Sequence, residues 1–442
     1  MMKLNNPVRA AIFCVLALVA LFFGVYFGIQ AFTSKPSTRS FNVGASLGSK
    51  SPYPIGNYSS YQGSCKLVQV QMYCRHGVRY GTSKNLQNMF DLARMFRGNS
   101  SKINDSKLSN LTVPFPEDQP GELAPIGFQN LKDFGKRWLT RYPQLVNLQS
   151  ISLRSSNSSR VMNSAESFMK GLLDGQAPSV NNSIIGDRAT DADINPTISC
   201  SKYMVEENLH EAEAKSFKSL AFTSMAERIS KRIGFQLSLD QSLTLLDLCI
   251  AQIGLLEYNT TDGVCYLFEQ KDFQNYGLLD NVDKYYSLGY GHSINTQMTC
   301  SAWTGIYNEM KNARKKGPSM SLRFTHAETI TPLVASLGLF NDTVSPTGSM
   351  PFDSLMNNQF QISKISPFQS NIIFEVYECE QDGLSLRILL NENQVDIPNL
   401  RKQADGLYSF KDFFKKYKSL IECDYDQVCG NRIQTFGGWN SK

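Results

Sequence analysis

Arg75-His76-Gly77-Val78-Arg79 sets an imidazole between two guanidiniums, with a glycine that lets the main chain approach a ligand closely. A neutral imidazole held in one tautomer attacks phosphorus and becomes covalently phosphorylated. A phosphoryl group spreads its charge over peripheral oxygens, and the planar fork of arginine meets two of them at once. Attack and charge neutralisation are thus available from five consecutive residues, with no metal or other cofactor expected. A second motif, His326-Ala327-Glu328, lies far downstream. Its carboxyl group, when protonated, serves as a general acid, which favours an acidic or weakly acidic optimum. Each motif also has a plainer reading. An isolated Arg-His-Gly is usually a polar surface tripeptide, and a glutamate opening a helix suits the helix dipole.

Position favours the chemical reading. KLVQVQMY (66–73) largely alternates apolar and polar residues and predicts a strand ending at Cys74-Arg75-His76-Gly77; residues 83–95 then predict a helix. Residues 319–325 predict a second strand ending at His-Ala-Glu, with a helix over 329–337. Ligands of open α/β sheets bind at the carboxyl ends of strands, so the two motifs are expected in one crevice. Further helices are predicted over 125–141, 164–173 and 301–313, a short strand over 151–154, and a hairpin from 371–378 and 384–391. Helical patterns dominate residues 202–259. The expected division is a linker over 33–61, an α/β domain over 62–164 and 300–442, and a mostly helical cap inserted over 165–299. The remaining histidines, His210 and His292, have no metal-ligand spacing such as His-Glu-x-x-His, and no metal is assigned.

CRHGVRYGTSKN resembles the RHGxRxP signature of the histidine acid phosphatases, the family that includes phytases. LRSSNSSRVMNSAESFMKGL, RFTHAETITPL, GELAPIGFQNLKDFGKRW and LLNE, in their order, strengthen the resemblance, which covers roughly residues 62–430. Most members have His-Asp where this chain has His-Ala-Glu, the variant typical of multiple inositol-polyphosphate phosphatases. The resemblance implies a phosphoglycerate-mutase-like open sheet with a helical cap. It implies a phosphomonoesterase acting on inositol hexakisphosphate-like substrates, with 2,3-bisphosphoglycerate a further candidate. His76 would be the nucleophile, Glu328 the general acid, and Arg75, Arg79, Arg154 and His326 the phosphate ligands. Gly81 replaces the usual proline of the signature, which loosens that turn without removing a catalytic group. Lys84 nearby is a candidate for a second substrate phosphate, or a solvated helix lysine. A phosphoglycerate mutase and a non-catalytic ectodomain that binds phosphate ligands are the competing functions.

Lys3 and Arg9 precede the apolar run from Ala10 to Phe32. At ~1.5 Å per residue such a helix spans the ~30 Å hydrocarbon core. Residues 1–32 are read as a signal-anchor or, alternatively, a cleaved signal peptide, and either sends the body of the chain into the secretory pathway. Nine cysteines follow Cys14, so disulfides are expected with at least one thiol left over. The family resemblance suggests Cys65–Cys379 and Cys249–Cys265; proximity alone suggests Cys423–Cys429. Eight Asn-x-Ser/Thr sequons, starting at Asn57, Asn99, Asn104, Asn110, Asn157, Asn181, Asn259 and Asn341, predict glycosylation at some of them. A net charge of only +5 without a basic run argues against a nucleic-acid partner. The chain ends Trp-Asn-Ser-Lys, with neither a retention tetrapeptide nor an apolar tail, leaving the final compartment and the oligomeric state open.

Overall fold

Strand β1 (Lys66–Arg75) is buried over nearly its whole length and faces two cores. Val68 and Tyr73 pack into one, whereas Val70, Met72 and Cys74 pack into the other. A strand covered on both faces belongs at the centre of an α/β sheet. The computed structural model describes residues 41–175, 183–187, 189–206, 211–380 and 383–431. In chain order the main elements after β1 are α1 (Ser83–Gly98), α2 (Pro125–Arg141), β2 (Ile151–Ser156), α3 (Ser159–Leu172), β3 (Ser183–Gly186), α4 (Glu211–Ile233), α5 (Leu239–Leu256), α6 (Gln270–Ser287), α7 (Cys300–Lys311), β4 (Ser319–Thr325), α8 (Ala327–Ser336), β5 (Asn371–Cys379), β6 (Gly383–Leu390), β7 (Asn393–Gln394), β8 (Tyr408–Ser409) and α9 (Phe410–Lys416).

The strands form one mixed sheet in the order β3-β2-β4-β1-β5-β6-β7, with β8 beside β6. β3, β2, β4 and β1 are parallel to their neighbours, and β5 turns antiparallel to β1. Helices α2 and α3 cover one face through Phe134, Trp138 and Phe168. Their backbones touch at two glycines: a Cβ at Gly135 would collide with Phe168 O and one at Gly171 with Lys132 O. Trp303, Leu333 and Phe413, from α7, α8 and α9, cover the other face. Helices α4, α5 and α6 make the cap, and Ser238 and Gln241 close a capping box at the start of α5.

Three expectations need correction. Residues 33–61 are not all linker, because from Val43 the chain belongs to the compact unit Val43–Lys442. Leu47 and Ser51 there are buried, and Phe368 N donates to Ser51 O. The cap does not begin at residue 165: α3 packs on α2, and β3 adds an edge strand to the sheet through parallel pairing with β2. Four residues are too few to show strand periodicity, which is why β3 was invisible in the pattern. Finally, Cys423 does not pair with Cys429. Cys300–Cys423 and Cys200–Cys429 form instead, beside Cys65–Cys379 and Cys249–Cys265 as the resemblance implied. Cys74 is the free cysteine among the described residues and is buried. The apolar run 10–32, His210 and Asn181 lie outside the described residues. Six of the other sequon asparagines are exposed and Asn99 is half-buried.

Proteolytic mapping without reduction should return these four cystine-linked pairs. Cys74 should react with an alkylating agent only after denaturation. A Cys423–Cys429 peptide would overturn the arrangement of the C-terminal segment.

Candidate active site

Parallel register pairs Arg75 with Thr325, so the residues after them, His76 and His326, leave the sheet side by side. His76 N donates to Thr325 O at 3.0 Å, and the imidazole centroids are 5.6 Å apart in edge-to-face orientation. Both rings are buried. Gly77 turns the chain under α2, where a Cβ would lie 2.9 Å from Leu131 Cδ1 and 3.1 Å from Gly127 O. Its N–H donates to Ser164 Oγ at 3.1 Å, and Ser164 donates to Arg160 O at 2.6 Å, tying the turn to α3.

His76 Nδ1 is 2.9 Å from Gly77 O, a carbonyl that can only accept. Hydrogen therefore resides on Nδ1 and the lone pair on Nε2. Burial, with Arg75, Arg79 and His326 alongside, pushes the ring well below the usual histidine range. The neutral form of His76, with its lone pair at Nε2, is thus the favoured one.

Three arginines surround it. Arg75 Nη1 donates to Ser49 O and Ser366 O, both at 2.6 Å, and its guanidinium lies 4.7 Å from the Phe368 ring centroid. Arg79 Nη1 donates to Tyr80 O at 2.7 Å. Arg160, at the start of α3, brings Nη2 to 3.4 Å from His326 Nδ1. Burial lowers Arg75 to about 10 against the attraction of Glu328, with Arg79 adding to the fall. Burial and Arg160 bring Arg79 down to about 10 as well. Both remain cations at working pH. The buried Nε–H groups of Arg75 and Arg79 have no hydrogen-bond partner among the described residues. Unpaired donors on mutually repelling cations are the makings of an anion site.

Glu328 lies in the first turn of α8 with its side chain open to solvent. The surrounding walls would by themselves raise its carboxyl, but His326, Lys284 and Arg75 outweigh them and hold it at about 2. Lys284 comes from cap helix α6. Burial would lower its ammonium, but Asp283, Asp280 and Glu328 raise it and keep it charged. Beyond Arg75 and Arg79 the inner pocket opens towards a cleft of about 930 Å³ between α1 and the cap, with Ser49, Lys50 and Asp247 common to both.

Residues 66–391 match the histidine phosphatase superfamily (branch 2). The chain belongs to this family. It is 25% identical to multiple inositol polyphosphate phosphatase 1 of Gallus gallus over 96% of this chain and 97% of that protein. It is 22% identical to the protein of the same name from Homo sapiens over 83% and 82%. Among solved structures it resembles the phytase from D. castellii, with a TM-score of 0.78 at 19% identity over 90% and 91% of the two chains. It also resembles the Bifidobacterium longum multiple inositol polyphosphate phosphatase in complex with inositol hexasulfate, with a TM-score of 0.67 at 15% identity over 86% and 98%. These likenesses establish the α/β sheet with a helical cap as the shared fold.

As a branch 2 histidine phosphatase, the chain gathers Arg75, His76, Arg79, His326 and Glu328 in one crevice. Arg154 does not join them. It points from β2 to the carboxylates of Asp191 and Asp193, and Asp193 also holds Arg323 and Tyr73. Arg160, in the same sequence segment, takes the place expected of Arg154. Its location one residue into a helix after a strand aimed at the crevice was the available signal. Lys84 is exposed on α1 and lines the outer cleft. His292 is half-buried ahead of a short helix, outside this group. Among the described residues the one cluster with metal-ligand proximity is Cys65, Cys379 and Asp405, whose cysteines form a disulfide. Ser156, Ser164, Asn195 and Lys284 carried no sequence signal, because each acts through a partner remote in the chain.

Lys284→Met removes a cation facing Glu328, so the carboxyl should hold its proton to higher pH. The basic limb of kcat, which reports the enzyme–substrate complex, should move upward in this variant. An unmoved limb would show that Glu328 is not the group titrating there.

Proposed function

We propose that this chain is a phosphomonoesterase that hydrolyses inositol polyphosphates through a phosphohistidine. The observation that carries the reading is a neutral imidazole, its tautomer fixed by Gly77 O, facing Arg75 and Arg79, whose buried Nε–H donors have no partner among the described residues. Relatives named for inositol polyphosphates and for phytate direct the choice of substrate.

Arg75, Arg79, Arg160 and His326 receive the phosphate to be transferred. His76 Nε2 attacks phosphorus as the ester P–O bond breaks, and Glu328 gives its proton to the departing alkoxide. Water then attacks the phosphohistidine, Glu328 regains a proton from it, the P–N bond breaks, and orthophosphate leaves. Glu328 is ionised beside these cations, so it must acquire its proton with the substrate. Phosphate oxygens compensate the positive charge, Arg75 among its sources, that holds the carboxyl down. Binding therefore raises Glu328 toward the range where it is an acid.

Lys84 on α1 is the candidate contact for a further phosphate on the ring. Three other lysines of the cleft are paired with carboxylates, Lys50 with Asp247, Lys215 with Glu211 and Lys218 with Asp240. Four disulfides fit an extracellular or lumenal compartment. Retention there by the apolar segment 10–32 is part of the proposal.

The purified chain should release orthophosphate from inositol hexakisphosphate, and an acid-labile, alkali-stable phosphoenzyme should be trapped on rapid quenching. His76→Ala should lose both while keeping its melting temperature. Binding without turnover by the unaltered chain would instead favour the phosphate-binding ectodomain. Glu328→Gln should slow hydrolysis of inositol phosphates by ~10²–10⁴-fold and that of a nitrophenyl phosphate far less, because the activated leaving group needs little protonation. Equal losses on both substrates would assign Glu328 to positioning.

A further inference from the structure

His326 is held from behind by a chain of polar groups. Its Nε2 lies 3.2 Å from Ser156 Oγ, and Ser156 Oγ donates to Asn195 Oδ1 at 2.8 Å. With its one proton committed to Asn195, Ser156 meets His326 as an acceptor, so Nε2 carries hydrogen. Nδ1 then faces Arg160 and the crevice. Ser156, Asn195 and His326 are all buried. The loop carrying Asn195 is pinned on both sides of His326, because Ile194 O accepts from Thr325 Oγ1 at 2.5 Å and from Thr329 Oγ1 at 2.9 Å.

We propose that Ser156 and Asn195 are positioning residues that hold hydrogen on His326 Nε2 and favour its imidazolium, so that Nδ1 acquires a hydrogen to donate to the bound phosphate. The proposal rests on the phosphatase reading above, in which His326 is a phosphate ligand. A neutral ring protonated only on Nε2 would turn a lone pair toward the anion. Once Nδ1 takes a proton, both nitrogens donate, one to phosphate and one to the Ser156–Asn195 chain. An acceptor behind Nε2 stabilises that charged form.

The charges around the ring show why such help matters. Glu328, next along α8, favours the imidazolium. Arg160 on α3, Arg75 and Arg79 flanking His76, and Lys284 from the cap oppose it; His76 itself is neutral. Asp193, on the Asn195 loop, is already committed to Arg154, Arg323 and Tyr73. The incoming anion and the hydrogen-bond chain together tip the balance.

Sulfate is the probe, because it remains a dianion across the working pH range and any pH dependence of its binding belongs to the protein. Its inhibition constant for nitrophenyl phosphate hydrolysis is measured against pH in the full chain carrying Glu328→Gln, which removes the carboxyl whose own proton uptake on anion binding would add a second limb, and each variant below is made in that background. Binding should weaken as pH rises, along a limb that His326→Ala removes. Ser156→Ala should move this limb about one unit lower, leaving sulfate about tenfold weaker above it. Ser156→Thr, which keeps the hydroxyl, should restore it. Asn195→Asp, which ends the chain in a carboxylate, should move it upward. The same limb in Ser156→Ala and Asn195→Asp overturns the proposal, whatever happens to their melting temperatures. Should Ser156→Ala fail to fold, Asn195→Asp decides by the direction of its shift. A limb that survives in His326→Ala removes the phosphate-ligand role beneath the proposal, a failure distinct from that of the hydrogen-bond chain alone.

Discussion

Everything in the crevice depends on the parallel pairing of β1 with β4. Parallel strands release their next residues on the same edge of the sheet, and here those residues are His76 and His326. The register is fixed by seven consecutive pairs, from Gln69 with Ser319 to Arg75 with Thr325. A slip of one residue would reverse the facing of every side chain on the strand. It would turn Val70 and Met72 out of the core they share with Trp138 and Phe168. The same apolar packing that stabilises the domain therefore sets the separation of the two imidazoles. The main-chain bond from His76 to Thr325 O continues the ladder one step past the last pair, so His76 stands on the sheet and not on a free loop.

What the sheet brings together is electrostatically unfavourable when empty. Arg75, Arg79 and Arg160 converge on a buried neutral ring, and among the described residues neither Arg75 nor Arg79 forms an ion pair with a carboxylate. Elsewhere the fold matches its buried charges closely. Glu392, fully buried after β6, is held by Arg137 at 2.9 Å and Arg141 at 2.6 Å. Glu375 is matched by Arg387 and by the hydroxyls of Tyr58, Tyr142 and Tyr377. The contrast separates stabilising charge from functional charge. Under the proposed function the counter-ion in the crevice is left for the ligand to supply, and the affinity for an oxyanion is the energy the arginines recover when it arrives.

The strands ending in the two motifs, the helices after them, and the late hairpin were legible because long stretches of both faces obey simple periodicity. Residues 125–141 were read at their true bounds, with Pro125 marking the first helical turn. The misreadings have physical causes too. Arg154 is within the strand, on the same face as Ser156, and both meet the loop of Asp191, Asp193 and Asn195; Arg160 arrives from the helix, where direction is set by α2 packing. Residues 43–51 lack periodicity because they form two short turns of 3₁₀ helix whose role is made by main-chain atoms. Ser49 offers its carbonyl to Arg75 and its N–H to Asp280 of the cap, contacts that any residue type could make. Gly48 alone is constrained, by a φ of +56° against Asp280. Cystine pairs that cross the fold, such as Cys200–Cys429 with a separation of 229 residues, follow from tertiary proximity and not from spacing.

The cap has a chemical part to play beyond enclosing the substrate. Lys284 from α6 is among the cations that keep Glu328 ionised, and Asp280 of the same helix reaches the Arg75 cradle through the Ser49 main chain. One cap helix thus touches both the proposed phosphate ligand and the proposed general acid. A carboxyl group held near 2 is a poor acid for an alcohol, and a permanently protonated one would be a poor base for the water of the second step. The proposed mechanism asks Glu328 to do both in turn. Placing it among cations that the substrate phosphate compensates and product release uncovers lets the charge of the ligand time the proton. The acid appears while the ester is bound, and the carboxylate returns when the anion leaves.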